Sequence, residues 1–181
     1  MKGISSEELS RRAGEIEWLL LDNDGVMTDG GLHYGGFRQV FLRFDVRDGL
    51  GIKLAQRAGI KVGVLSGRRS RALDRRTREL GFDDVVSGSR DKSQDFARFL
   101  ERNDTEPRRI AFVGDDLPDI VVLGRCGLSF APADAAPEVR AIANRVLERN
   151  GGKGCVREVV ECLLKARGAW EDVVAPFSFD E

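Results

Sequence analysis

The sequence predicts an α/β fold: a Rossmann-like three-layer sandwich with a mainly parallel sheet, from which a β-hairpin protrudes. Three observations carry this. Short apolar runs at Trp18–Leu21, Lys61–Leu65 and Ile110–Val113 give way to Asp22, Ser66 and Gly114-Asp115, and such runs read as strands buried on both faces. Helix-patterned segments separate them, and strands alternating with helices build a parallel sheet covered on both sides. A chain of 181 residues with 41% hydrophobic content fits one globular domain spanning 1–181, long enough to bury a core.

The elements follow in order. Ser5-Ser6-Glu7-Glu8 reads as an N-cap and acidic first turn for a helix through Ala13. Strand one covers Glu17–Leu21. Paired glycines at Gly30-Gly31 and Gly35-Gly36, between β-prone runs that continue through Gln39-Val40-Phe41-Leu42-Arg43-Phe44, predict a hairpin over about 31–45. Apolar residues fall on both of its faces, and a two-stranded hairpin is marginal alone, so something else must cover it. Helix Leu50–Arg57 leads through Gly59 to strand Val62–Leu65. Helix Ser70–Leu80 ends at Gly81, a suitable C-terminal glycine. Strand Val85–Val86, helix Asp91–Arg102, strand Ile110–Val113, helix Ile120–Leu123, strand Leu128–Phe130, helix Pro137–Ala143 and helix Val156–Ala166 complete the alternation. The tail 168–181 carries Trp170, Phe177 and Phe179 among acids. It reads either as a frayed terminus or as a segment that docks through its aromatics.

Composition excludes several classes. Lys+Arg total 29 against Asp+Glu 30, a net charge of -1, which leaves no electrostatic footprint for nucleic acid. No apolar stretch reaches the roughly 20 residues that span a bilayer. Met1–Arg12 is polar and lacks the apolar core of a signal peptide. Cys126, Cys155 and Cys162 have no metal-ligand spacing and leave an odd thiol, as expected of reduced thiols in a cytoplasmic protein.

Chemistry concentrates at the strand ends. Strand one stops at Asp22, Asp24 follows two residues later, and Gly25 lets the backbone turn away. Ligands in open α/β sheets gather at the carboxyl ends of strands. Two acids there can hold a divalent cation, attack an electrophile or pass a proton; the same pattern also occurs in nucleotide-binding and phospho-acceptor domains. The later strands supply partners: Ser66-Gly67-Arg68 after the second apolar run, Lys92 at a helix start, and Gly114-Asp115-Asp116-Leu117-Pro118-Asp119 after Ile110–Val113. Each has a plainer reading, as a helix cap, a solvated lysine and a turn respectively. The ordered set outweighs them, because motifs gain weight from structural context. The lone histidine, His33, lies in the hairpin, which leaves no pair for a histidine-based phosphatase.

This ordered set resembles the haloacid dehalogenase superfamily of phosphohydrolases. Longer motifs narrow the resemblance: Asp24-Gly25-Val26-Met27-Thr28-Asp29-Gly30, Val46-Arg47-Asp48-Gly49-Leu50-Gly51-Ile52-Lys53, Ser66-Gly67-Arg68, Gly114-Asp115-Asp116-Leu117 and Gly151-Gly152-Lys153-Gly154-Cys155-Val156-Arg157-Glu158 are similar to the 3-deoxy-D-manno-octulosonate 8-phosphate (Kdo 8-phosphate) phosphatase family. The match runs from about Glu17 to about Lys165. The family usually has Leu at Met27, Thr at Ser66, Asn at Asp45 and Ala at Cys155. Of these departures, Asp45 adds a charge near the expected sugar site.

The resemblance implies a Mg²⁺-dependent phosphatase of a sugar-acid phosphate, acting in lipopolysaccharide biosynthesis through an aspartyl-phosphate. It makes Asp22 the nucleophile and Asp24 the acid that protonates the leaving alcohol and then activates water. Ser66 and Lys92 bind the transferring phosphoryl oxygens. Oxygen-only ligands suit Mg²⁺: carboxylates of Asp22 and Asp115 and the backbone carbonyl of Asp24, with Asp116 or Asp119 assisting and one of those two serving only as a helix cap. Substrate contacts are implied from Asp24, from Asp45, Val46, Arg47, Asp48 and Gly49, and from Lys53, Arg68, Arg76, Lys92 and Arg157. Superfamily phosphatases usually carry a cap domain, but the interval from Gly30 to Asp48 holds only a hairpin. The resemblance therefore implies a capless homotetramer whose sites are closed by neighbouring subunits. Gly151-Gly152-Lys153-Gly154 reads as a flexible basic stretch suited to that task. Two rivals remain. One is the same chemistry on a nonulosonate 9-phosphate or another sugar phosphate. The other is a phospho-acceptor signalling domain, which would need an acid where strand Val62–Leu65 instead meets Ser66.

Overall fold

The computed structural model describes residues 3–36 and 40–177. Eight helices and eight strands are named here in chain order: α1 (Ser6–Glu15), β1 (Trp18–Leu21), β2 (His33–Tyr34), β3 (Val40–Phe41), α2 (Val46–Arg57), β4 (Lys61–Ser66), α3 (Arg71–Leu80), β5 (Asp84–Ser87), α4 (Lys92–Arg102), β6 (Ile110–Val113), α5 (Ile120–Leu123), β7 (Leu128–Ala131), α6 (Pro137–Ile142), β8 (Arg145–Val146), α7 (Cys155–Ala166) and α8 (Trp170–Val174). The main sheet is parallel with order β5-β4-β1-β6-β7-β8. Leaving out the hairpin strands, this is the 3-2-1-4-5-6 order of doubly wound nucleotide-binding sheets. The chain changes direction across the sheet between β1 and β6, and the crevice there is where such folds bind ligands.

Strand β1 shows why the predicted alternation holds. Its four residues are all buried, with Leu19 and Leu21 in the core under α1, α2 and α7, and Trp18 and Leu20 in the core under α4, α5 and α6. Successive side chains point to opposite faces, so a strand covered on both sides must be apolar throughout. Trp18 stacks edge-on against Phe99 of α4 at 5.0 Å. The register Leu21↔Val64 and Leu21↔Val113 brings Asp22 level with the ends of β4 and β6.

Several boundaries differ from expectation. Helix α2 begins at Val46, with Asp45 as its cap accepting the Arg47 N–H, four residues before the expected start at Leu50 and across Gly49. Glycine costs a helix about 1 kcal/mol relative to alanine, and close packing on α7 outweighs that here: a Cβ on Gly51 would lie 2.9 Å from the Arg157 Cα. Strand β8, unforeseen because it has two residues and no apolar run, pairs with β7. Asn144 fastens the approach to it by exchanging hydrogen bonds with Ser129. The described part of the tail, residues 168–177, docks rather than frays. Helix α8 buries Val173 and places Trp170 between the cations of Arg157 and Lys165. Phe179 lies outside the described residues, as do Phe37, Arg38 and Gln39 of the predicted hairpin.

A further correction concerns Gly151–Gly154, expected as a free basic stretch. Gly151, Gly152 and Gly154 are buried. Gly152 donates to the Val26 carbonyl at 2.9 Å and Gly151 to the Asp134 carboxylate at 2.9 Å. A Cβ on Gly151 would fall 1.8 Å from the Gly25 carbonyl oxygen, so only glycine allows the loop to lie against the turn that follows β1. The hairpin is present, with β2 and β3 antiparallel, and its residues Tyr34 and Phe41 are 75% and 57% exposed.

Candidate active site

The carboxyl ends of β1, β4 and β6 and the start of α4 enclose a cleft of about 700 Å³ lined by Asp22, Asp24, Ser66, Arg68, Lys92, Asp115 and Asp119, among others. Asp22 is one residue past β1, and its backbone N–H donates to the Val113 carbonyl at the end of β6. The chain then makes an irregular turn over Asn23–Met27, with Gly25 at φ +84, a conformation that disfavours residues with a Cβ. A Cβ there would meet Asp115 Oδ2 at 2.0 Å, so the glycine also leaves room for the opposing carboxylate.

Lys92 is buried on the first turn of α4. Its Nζ lies 3.0 Å from Asp22 Oδ1 and 2.5 Å from Asp119 Oδ1. Burial alone would lower the pKa of this ammonium, and the charges of Asp22 and Asp119 more than reverse that, leaving it raised. Burial, and next the charge of Asp119, pushes the Asp22 carboxyl up; burial, and next Asp22 and Asp119, does the same to Asp115. One lysine therefore does not neutralise the cluster. Asp22, Asp115 and Asp119 can each place an oxygen within 4.8 Å of the others, and Asp115 Oδ1 is buried without a hydrogen-bond partner. An oxygen-only set with surplus negative charge and an unpartnered acceptor fits a hard divalent cation such as Mg²⁺.

The two acids left open by the sequence separate cleanly. Asp116 caps the short 3₁₀ turn Leu117–Asp119 by accepting the Leu117 N–H. Asp119 is 1% exposed and accepts the backbone N–H groups of Asp115 and Asp116 as well as Lys92. It both shapes the Gly114–Asp116 loop and joins Asp22 and Asp115 in the carboxylate cluster.

Asp24 turns its side chain another way. Oδ2 accepts Arg68 Nε at 2.9 Å and Oδ1 accepts Asn23 Nδ2 at 2.7 Å. Ser66 ends β4 almost fully buried, its hydroxyl bonded to the backbone of Arg68, so the plainer reading as a turn-former also holds. Lys92 is not the solvated lysine of its plainer reading. Sequence reasoning passed over Asn23, Ser89 and Arg90, the last two lining the cleft just before Lys92. The position of Asn23 between two acids was the available signal.

The remaining predicted substrate residues lie off this cleft. Asp45 holds Arg47 bidentately, at 3.0 and 2.7 Å, so its extra charge is compensated locally. Val46 is 80% exposed. Asp48 is buried and accepts the backbone N–H groups of Gly154 and Arg157 at 3.2 and 2.8 Å, capping α7 from α2. Burial pushes its carboxyl up to about 6. Gly49 makes room for the Arg76 guanidinium, which sits over Phe44 and near the Asp45 carbonyl. Lys53 donates to the last carbonyl of α3, Leu80, at 2.6 Å. Arg157 pairs with Glu161 and lies over Trp170, so within this chain its guanidinium serves the α7–α8 contact.

An acid just past β1, a hydroxyl ending β4, a lysine opening α4 and an acid cluster just past β6 form the arrangement of a haloacid dehalogenase-like hydrolase, and the model of that hydrolase family matches residues 38–127. The 3-deoxy-D-manno-octulosonate 8-phosphate phosphatase KdsC of Haemophilus influenzae is 38% identical over 160 residues, covering 88% of this chain and 89% of the relative. That of Escherichia coli K12 is 37% identical over 170 residues, covering 94% and 90%. Among solved structures, the Moraxella catarrhalis 3-deoxy-D-manno-octulosonate 8-phosphate phosphatase in complex with magnesium, phosphate and KDO superposes with a TM-score of 0.92 at 31% identity, covering 95% of this chain and 99% of that one. The chain belongs to the 3-deoxy-D-manno-octulosonate 8-phosphate phosphatase family.

Proposed function

We propose that this protein hydrolyses a sugar-acid phosphate monoester, Kdo 8-phosphate, to Kdo and phosphate. The observation that carries the chemistry is the buried Asp22–Lys92–Asp119 contact beside Asp115 at the point where the sheet reverses its strand order; family membership points to the substrate. Asp22 attacks phosphorus, and the phosphate–sugar bond breaks as an acyl phosphate forms on its carboxylate. Asp24 gives its proton to the departing sugar oxygen, then takes one from the water that attacks the acyl phosphate. Water and ester thus become alcohol and phosphate, with Asp22 and Asp24 restored. Lys92 draws the Asp22 carboxylate toward its charged form and offers N–H donors to the phosphoryl oxygens. Asp22 and Asp115, assisted by Asp119 and with the Asp24 backbone carbonyl as a further oxygen, would hold Mg²⁺, which would supply charge to offset the repulsion between carboxylate and phosphate dianion.

The reading extends to assembly. A cleft this open needs cover, and the hairpin and the start of α2 leave Tyr34, Phe41, Val46 and Leu50 exposed. We propose a single-domain, capless subunit in a homotetramer, with each cleft closed by a neighbour. Asp45, Val46, Arg47, Lys53, Arg76 and Arg157, which lie off their own cleft, would meet sugar acid there. Three free cysteines fit a reducing cytoplasm, where the product would serve lipopolysaccharide synthesis. Among the described residues no helix is long and apolar enough to cross a membrane. Compensation of Asp45 by Arg47 supports Kdo 8-phosphate over a differently charged sugar. The test is phosphate release from Kdo 8-phosphate, nonulosonate 9-phosphates and simple sugar phosphates, each with Mg²⁺ and with chelator. Kdo 8-phosphate should give the highest kcat/KM, and none should be cleaved under chelation. A nonulosonate phosphate cleaved tenfold faster would overturn the substrate, and full activity after exhaustive chelation would overturn the mechanism.

A further inference from the structure

Asn23 stands between the two acids, and its side chain is fully buried. Its Nδ2 donates to Asp24 Oδ1 at 2.7 Å, while its own Oδ1 is buried with no hydrogen-bond partner. A half-satisfied buried amide is costly, because the unpaired oxygen has given up water without return. An apolar side chain at the foot of this strand would avoid that cost. Local rules broken in this way concentrate at functional sites.

The neighbours show what the amide does. Asp24 is gripped by two donors of different kinds. Arg68 holds Oδ2 at 2.9 Å, but its side chain is 46% exposed, and it lines the cleft that an anionic substrate enters. Asn23 holds Oδ1 from the interior, where nothing can draw it away. Its backbone is fixed as well, since its carbonyl accepts both the N–H and the hydroxyl of Thr28. When an anion attracts Arg68, only the amide still orients Asp24.

We propose that Asn23 is a positioning residue: it ties down Oδ1 of Asp24 and leaves Oδ2 as the oxygen that faces the leaving group. This rests on the phosphatase reading above. Being neutral, the Asn23 side chain adds no charge, and it is buried behind the cleft rather than lining it. Its removal therefore damages protonation of the leaving group and little else.

Leaving-group chemistry isolates that effect. A sugar alkoxide must be protonated as it departs, whereas p-nitrophenolate leaves readily without a proton. Comparing kcat/KM confines the measurement to steps up to leaving-group departure, so hydrolysis of the shared acyl phosphate does not enter. For Asn23→Leu, nearest in shape, kcat/KM on Kdo 8-phosphate should fall by about 10–100-fold, part of the usual worth of a general acid. On p-nitrophenyl phosphate it should fall by less than about threefold, and a series of aryl phosphates should show steeper dependence on leaving-group basicity than wild type. Asn23→Val, with shorter reach, serves if the leucine variant does not fold. Equal losses on both esters would assign Asn23 a structural role and overturn the proposal, as would wild-type values on both. If the wild-type protein releases phosphate from neither ester, the phosphatase reading fails first and takes this assignment with it.

Discussion

Replacing Lys92 with methionine tests the electrostatic design of the cleft most directly. The substitution keeps the length and apolar stem of the side chain but removes the one cation that, among the described residues, pairs with Asp22 and Asp119. Asp22, Asp115 and Asp119 then share one small volume with no compensating charge. Removing one partner of a buried ion pair costs about 3–5 kcal/mol. For a chain of this size each kcal/mol moves Tm by about 2–4 °C, so Tm in chelator should fall by roughly 6–20 °C. Protons offset part of the loss. Asp22 and Asp115 already have raised pKa values in the folded state, and without Lys92 they rise further. A carboxyl whose folded pKa is raised contributes stability below its unfolded pKa and loses it as pH rises through the folded value. The deficit relative to wild type should therefore widen as pH rises above about 7, where the wild-type carboxyls begin to lose their protons and those of the variant do not. Mg²⁺ should close much of the gap, since a divalent cation takes over the neutralising task; at a hundredfold excess over Kd it adds about 2.7 kcal/mol to either protein, and it binds the variant more tightly because no ammonium competes for the carboxylates. Urea unfolding with chelator and with Mg²⁺, across that pH range, measures all of this. A Lys92→Met protein as stable as wild type in chelator, or stabilised no more by Mg²⁺, would refute the reasoning. Phosphate release by the variant should be lost in either condition.

Asp22→Asn should stop phosphate release by about 10³-fold or more, as loss of a catalytic carboxylate does, while its stability in chelator holds or rises because one repelling charge is gone; turnover within tenfold of wild type would remove Asp22 as nucleophile. Gly25→Ala should cost about 1–2 kcal/mol from the left-handed backbone alone. It should also weaken Mg²⁺ binding in calorimetry, since the new Cβ falls on the Asp115 carboxylate. Asp48, whose carboxyl is pushed from 3.8 to about 6 by burial, should make wild type lose about 2 kcal/mol relative to Asp48→Asn as pH rises from about 4 to about 6.5; parallel stability curves in urea would show that the carboxyl is not shifted. Light scattering should give a tetramer, and Phe41→Asp, which charges the exposed hairpin edge, should yield smaller species with weaker activity on Kdo 8-phosphate; an active monomeric wild type would end the idea of closure by a neighbour.

What the sequence determined by itself was local and periodic. Four-residue apolar runs must be strands buried on both faces, and a carboxylate, a hydroxyl or an acid cluster placed just beyond such a run lies at the sheet's carboxyl edge whatever the strand order. That is why Asp22, Ser66 and Asp115, with Lys92 on its helix, were legible as a set. Ser70, Asp91 and Gly81 likewise marked helix ends through bonds made within a few residues. Other features depended on partners far along the chain. Asp116 and Asp119 are both acids near a proline, and only the return of α4 beneath the loop, bringing Lys92 to Asp119, distinguishes cap from cluster. Asp48 has a structural task that nothing near it in sequence announces: the start of α7, more than a hundred residues later, lays two backbone N–H groups on it. The glycines at Gly151–Gly154 suggest freedom, yet they are the small residues that let a loop press against Gly25. Neither composition nor spacing states which distant backbone will arrive at a given side chain. Strand order decides that, and by seating β1 between β4 and β6 it makes one cleft out of four separate motifs.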